Sequence, residues 1–173
     1  MFQVGSKVVY PNHGVGIIRE VKEFEVGGHV AKFFEVYILS SKSTVKVPAG
    51  NAEAVGLRNL LTKEEIEGVF AYLRGDEQIE YDDWKERFKL NSDLMRTGKI
   101  NDMAKVLKNL HFVSIVKPLS FREKRMYERS LQLIASEMAE VRKVGVREME
   151  ESLVNVLNAS ADEKGLGQTE AVE

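Results

Sequence analysis

Trp84 is the single tryptophan of the chain, set in Tyr81-Asp82-Asp83-Trp84-Lys85-Glu86-Arg87-Phe88-Lys89 behind two aspartates and among three cations. An apolar ring beside phosphate-seeking charges is the residue set that minor-groove proteins use to disturb base stacking. Trp84, Lys85, Arg87 and Lys89 therefore form one candidate DNA contact, with Glu86 interrupting the basic run. The competing reading puts the indole in the core of an amphipathic helix. A second basic run, Phe121-Arg122-Glu123-Lys124-Arg125-Met126-Tyr127-Glu128-Arg129, places Lys124 and Arg125 in the first turns of a predicted helix. The macrodipole disfavours cations there, so the placement points either to an anionic partner or to a solvated helix face. The third set is Ser43-Thr44-Val45-Lys46-Val47-Pro48. As a strand it puts Val45 and Val47 on one side and Thr44 and Lys46 on the other. At a sheet edge its unpaired backbone groups can add to a strand of another protein, with Lys46 as an electrostatic anchor and Pro48 as the stop.

No residue set supports catalysis. The chain has no cysteine and only three scattered histidines, His13, His29 and His111. Thiolate chemistry and disulfides are thereby excluded, and a metal site is not expected. Pro11-Asn12-His13-Gly14-Val15-Gly16 lacks the spacing and the Lys-Ser/Thr of a phosphate loop. It reads as a turn between strands in which Gly14 and Gly16 permit positive φ or a bulge. Asp82 or Asp83 reads as a helix cap in preference to a metal ligand.

The net charge of −2 conceals segregation. Residues 84–129 carry twelve basic against five acidic groups, a net of +7, whereas 61–83 carry −6 and 130–173 carry −5. A basic block inside an acidic chain is the footprint of a local nucleic-acid contact. No apolar run reaches the roughly 20 residues that span a bilayer, and the N-terminus has no signal-peptide pattern. A cytoplasmic protein is expected.

Two kinds of element must position these groups. Residues 4–48 read as short antiparallel strands: Gly27-Gly28 marks a tight turn, residues 30–39 are aromatic and β-branched, and Ser40-Ser41-Lys42 turns into the strand at 43–47. Such strands imply a bent, Tudor- or SH3-like barrel. Residues 51–61 read as a linker. From residue 62 the period becomes helical. Thr62 with Glu65 and Ser120 with Glu123 are capping boxes. Ile66, Val69, Phe70 and Leu73 make one stripe, Met103, Val106, Leu107 and Leu110 another, and Met126, Leu131, Leu133, Ile134 and Met138 a third. Gly145 separates the longest helix from a last short one at 146–157, and the glycine- and acid-rich end reads as disordered.

The stretches Gly5-Ser6-Lys7-Val8-Val9-Tyr10, Ser43-Thr44-Val45-Lys46-Val47-Pro48 and Asp83-Trp84-Lys85-Glu86-Arg87-Phe88-Lys89 together resemble the bacterial CarD/CdnL transcription regulators. Their N-terminal module is shared with transcription-repair coupling factor. The resemblance covers about the first 155 residues. It implies that residues 44–48 bind the RNA polymerase β subunit by strand addition, with Lys46 where the family often has Arg. It also implies that Trp84 inserts into the minor groove at the upstream edge of the transcription bubble, and that Lys124 and Arg125 contact phosphate.

The expectation is an α+β protein: a Tudor/SH3-like β-barrel domain at 1–60, an all-α DNA-binding domain at 61–158, and a disordered tail at 159–173. It is a transcription initiation regulator that stabilises the open complex and contacts promoter DNA weakly on its own, a monomer without cofactor. The alternatives are a protein-interaction adaptor without DNA contact, and a DNA-binding protein that needs no polymerase.

Overall fold

The computed structural model describes residues 2–81 and 83–167. The chain divides into two compact units, the first ending at Leu61 and the second beginning at Thr62. The class is α+β, a five-stranded antiparallel sheet of Tudor-like type followed by five helices.

In the first unit, β1 (Lys7–Tyr10), β2 (Gly14–Val26), β3 (His29–Ile38), β4 (Ser43–Pro48) and β5 (Arg58–Asn59) lie in the order β4-β3-β2-β1-β5. Gly27 and Gly28 both have positive φ, +61° and +81°, as the two-residue β2–β3 hairpin turn requires. Gly16 is needed for a different reason. A Cβ there would lie 2.6 Å from Val36 Cγ1 on β3, so the strands can approach only because the side chain is absent. Gly14 takes the positive φ, +93°. A bulge between Ile18 and Glu20 bends β2. One face then gathers Val8, Ile18, Phe34, Val36, Ile38 and Val47 into a core, closed by Ala52 and Leu57.

Those last two residues revise the expected linker. Residues 51–61 belong to the β unit: Leu57 is buried, and β5 pairs Arg58 with Val9 and Asn59 with Val8. A two-residue strand has no alternation for a sequence pattern to detect.

The second unit contains α1 (Lys63–Arg74), α2 (Trp84–Arg96), α3 (Ile100–Val116), α4 (Phe121–Arg142) and α5 (Val146–Glu163). Both capping boxes form. Asp83 caps α2 by accepting from the Lys85 and Glu86 N–H groups at 2.8 Å each; Asp82, the other candidate cap, lies outside the described residues. The first two apolar stripes named above are buried, as are Leu133, Ile134 and Met138 of the third, whereas Met126 and Leu131 are only half-buried. The sequence places a helix end at residue 157, yet α5 runs six residues further to Glu163. Ser160 and Ala161 are buried, which small side chains allow at a close helix contact. Residues 159–163 are thus helical, and the rest of the expected tail beyond residue 167 lies outside the described residues.

The interior also holds polar groups. Lys108 is fully buried and donates from Nζ to the carbonyls of Tyr72 (2.8 Å) and Gly75 (2.7 Å), placing a cation at the C-terminal end of α1. Burial, with the nearby charge of Lys164, pushes its pKa down. His111 bridges helices: Nδ1 lies 2.9 Å from the Tyr127 hydroxyl and Nε2 lies 2.8 Å from Asn158 Oδ1. Burial pushes this imidazole down, against the hydrogen bond to Asn158.

Candidate functional site

Each unit carries its own candidate surface. In the β unit, β4 is one of two sheet edges, and the other, β5, has only two residues. The six-residue edge is therefore the one long enough to receive an added strand. Its side chains alternate as the sequence requires: Thr44 and Lys46 are exposed, Val45 is half-buried, and Val47 is fully buried in the core. Pro48 ends the ladder opposite Phe33.

Lys46 does not wave freely in solvent. Its Nζ lies 4.1 Å over the ring of Phe24, which in turn meets Phe33 edge-on at 5.6 Å. The residue facing it across the sheet is Glu35, but that carboxylate pairs with Lys22 at 3.0 Å. The hydrogen bond from Lys22 to Glu35 leads the groups that push the Lys22 pKa up. With Glu35 occupied, Lys46 rests on an aromatic ring and keeps its charge available at the edge.

In the helical unit, Trp84 is the first residue of α2 and 60% exposed, with Lys85 Nζ 5.8 Å from its ring centroid. The core reading of the indole does not hold. Lys85, next to it, and Lys89, further along α2, are exposed, and Lys124 and Arg125 are exposed at the start of α4.

Arg87 departs from the expected set. It is 7% exposed, and its Nε donates to Glu123 Oε1 at 2.7 Å. The sequence spacing places Arg87 among the phosphate contacts; the fold turns it inward, where its guanidinium is held by the buried Glu123 carboxylate of α4. Glu123 meanwhile completes the α4 capping box, accepting from the Ser120 N–H at 3.2 Å. Burial alone would raise the Glu123 carboxyl, but the Arg87 hydrogen bond, the Ser120 backbone and the Arg87 charge together hold it below its ordinary value. The pair ties the first turn of α2, which carries Trp84 and Lys85, to the first turn of α4, which carries Lys124 and Arg125.

Other polar groups buttress α2. Asn91 is buried, and its Oδ1 accepts from Tyr81 Oη (3.4 Å) and Asn109 Nδ2 (3.3 Å). Burial pushes the Tyr81 hydroxyl up to about 12, so it remains a donor. Downstream, Lys105 is held by Asp102 at 3.3 Å, whereas Lys99 is exposed.

Sequence reasoning passed over Phe121, the first residue of α4, which is 75% exposed. Its signal was present: it follows a cap and precedes a cation, as Trp84 does. Among the described residues no cluster of three or more His, Cys, Asp or Glu could hold a metal, and no helix is long and apolar enough to cross a membrane.

Residues 2–61 match the family model of the CarD-like/TRCF RID domain, and residues 68–154 match that of the CarD C-terminal domain. The Bacillus subtilis (strain 168) protein described as "Putative transcription factor YdeB" is 30% identical over 141 residues, covering 80% of this chain and 90% of that protein. The 72-residue N-terminal domain of Myxococcus xanthus CarD, solved by NMR, is 34% identical over 34% of this chain and 79% of that one, with a TM-score of 0.30. Both units match in order, and together with a relative aligned along nine-tenths of its length they assign the chain to the CarD/CdnL family of transcription regulators.

Proposed function

We propose that this protein regulates transcription initiation by holding RNA polymerase through the β4 edge while its helical unit contacts promoter DNA at the upstream edge of the bubble. The β subunit is the expected partner, engaged by strand addition along Thr44, Val45, Lys46, Val47 and Pro48. The observation that carries the DNA half is the 60% exposure of Trp84 beside Lys85, with Lys89 exposed further along the same helix. An indole left in water at a helix start, among cations, fits an apolar wedge flanked by phosphate contacts.

The mechanism follows from linkage. A ligand shifts an equilibrium only by its differential affinity for the two states. A distorted, partly unstacked step offers Trp84 a surface that closed duplex does not, so binding favours the open complex. A bias of about 1–2 kcal/mol changes the ratio of open to closed complexes about 5- to 30-fold.

The test is open-complex lifetime on a promoter fragment, run beside DNA binding with and without polymerase. A gain in lifetime, with weak binding to free DNA and loss of the gain in Trp84→Ala, is the expected outcome. Polymerase binding with no DNA-dependent effect would mark an adaptor, and tight binding to free DNA would mark a polymerase-independent DNA binder.

A further inference from the structure

The two helix starts that the Arg87–Glu123 pair joins are built alike. In α2 the order is cap Asp83, aromatic Trp84, cation Lys85; in α4 it is cap Ser120, aromatic Phe121, cation Arg122. A cation lies near each ring: Lys85 Nζ is 5.8 Å from the Trp84 centroid, and Arg125 Cζ is 5.7 Å from the Phe121 centroid. Phe121 is the more exposed of the two, 75% against 60%.

A single exposed apolar side chain is ordinary. Its surroundings set this one apart. The first turn of α4 exposes Arg122, Lys124 and Arg125, while the one carboxylate of that turn, Glu123, is buried against Arg87. The charge that the first turn of α4 itself presents outward is therefore positive. An apolar protein groove would have to bury those cations without partners, which is costly. A polyanion that also presents apolar flat faces meets both demands, and a nucleic acid with unstacked bases is such a ligand.

We propose that Phe121, backed by Arg125, is a second aromatic DNA contact, stacking on a base or sugar exposed by the distorted step. The inference rests on the reading that the helical unit meets promoter DNA. Arg87 and Glu123 serve as positioning residues, since the buried pair fixes the two aromatic starts so that they engage one DNA segment together.

The experiment places the photo-crosslinker p-benzoylphenylalanine at position 84 or at position 121 of the full chain, assembled with polymerase and end-labelled promoter DNA. Both positions are expected to crosslink to DNA, at different nucleotides. Crosslinking from 84 but not from 121, or from 121 to polymerase alone, overturns the role of Phe121 and leaves the DNA reading standing. Crosslinking to DNA from neither position overturns the DNA reading and the proposal with it. In parallel, Phe121→Ala should lower the gain in open-complex lifetime about fivefold with its salt dependence unchanged, and Phe121→Trp should retain it. A folded Phe121→Ala protein with the full gain would refute the contact.

Discussion

Three residues illustrate how exposure separates function from support. Lys46 is exposed and rests its Nζ over Phe24, and an exposed cation–π contact is worth about 0.5–1 kcal/mol. Lys46→Glu should therefore leave the melting temperature within a few degrees of the parent while weakening polymerase binding roughly tenfold, through charge reversal at the contact. Pull-down of the β subunit by the folded variant checks this, and unchanged capture would remove Lys46 from the interface. Trp84→Ala should cost less than about 1 kcal/mol, because truncating a 60% exposed indole opens no cavity. A core Trp would have cost about 3–5 kcal/mol. Most of the lifetime gain should nonetheless vanish, and a thermal melt beside the lifetime assay separates the two effects. Arg87→Ala should behave in the opposite way. Removing one partner of a buried pair strands the other, at about 3–5 kcal/mol, so loss of function should track loss of fold.

At the scale of elements, what the sequence made legible is what short-range physics determines. Two capping boxes, the Gly27-Gly28 turn and the apolar stripes of α1, α3 and α4 are local patterns, and all are present. Arg87, β5 and the end of α5 depend on partners distant in sequence: Glu123 for the first, β1 for the second, and helix packing around Ser160 and Ala161 for the third. Charge type alone could not distinguish a cation facing α4 from one facing solvent. The same long-range polar contacts predict how the helical unit responds to acid. Burial holds His111 below its ordinary value of 6.5 and outweighs the Asn158 hydrogen bond, so the unfolded chain takes up that proton first as pH falls. Stability should be full above about 6.5 and decline below it. Glu123 acts in a separate window: its folded pKa lies below 4.5, so its contribution is present above that value and lost as pH falls through the folded pKa. Denaturant midpoints measured from pH 7 to 5 should fall, and His111→Gln should flatten that slope. An unchanged slope would show that the imidazole is not the titrating group.

At the scale of the whole molecule, the charge distribution argues for a division of labour between the two units. The +7 of residues 84–129 is flanked in sequence by −6 and −5, and the chain as a whole carries −2. On the proposed reading, long-range attraction to free DNA should therefore be weak, and phosphate contacts by Lys89 and Lys124 should act once the factor is already held nearby. In that proposal polymerase is the tether, which would convert DNA contact into an intramolecular event at an effective concentration that reaches about millimolar for short connections. The two surfaces should then fail in different ways. A Lys46→Glu protein has lost occupancy of polymerase, so raising its concentration should restore the open-complex lifetime. A Trp84→Ala protein occupies polymerase normally but lacks the contact that distinguishes open from closed DNA, so no concentration should restore it. Lys124→Ala should be intermediate, with a reduced plateau and a salt slope smaller by about 1, as expected for one lost phosphate contact. Titrating each variant to a plateau at two salt concentrations reads all three behaviours. If Lys46→Glu stays inactive at saturation, or if Trp84→Ala recovers there, holding polymerase and stabilising open DNA are not separate tasks of the two units.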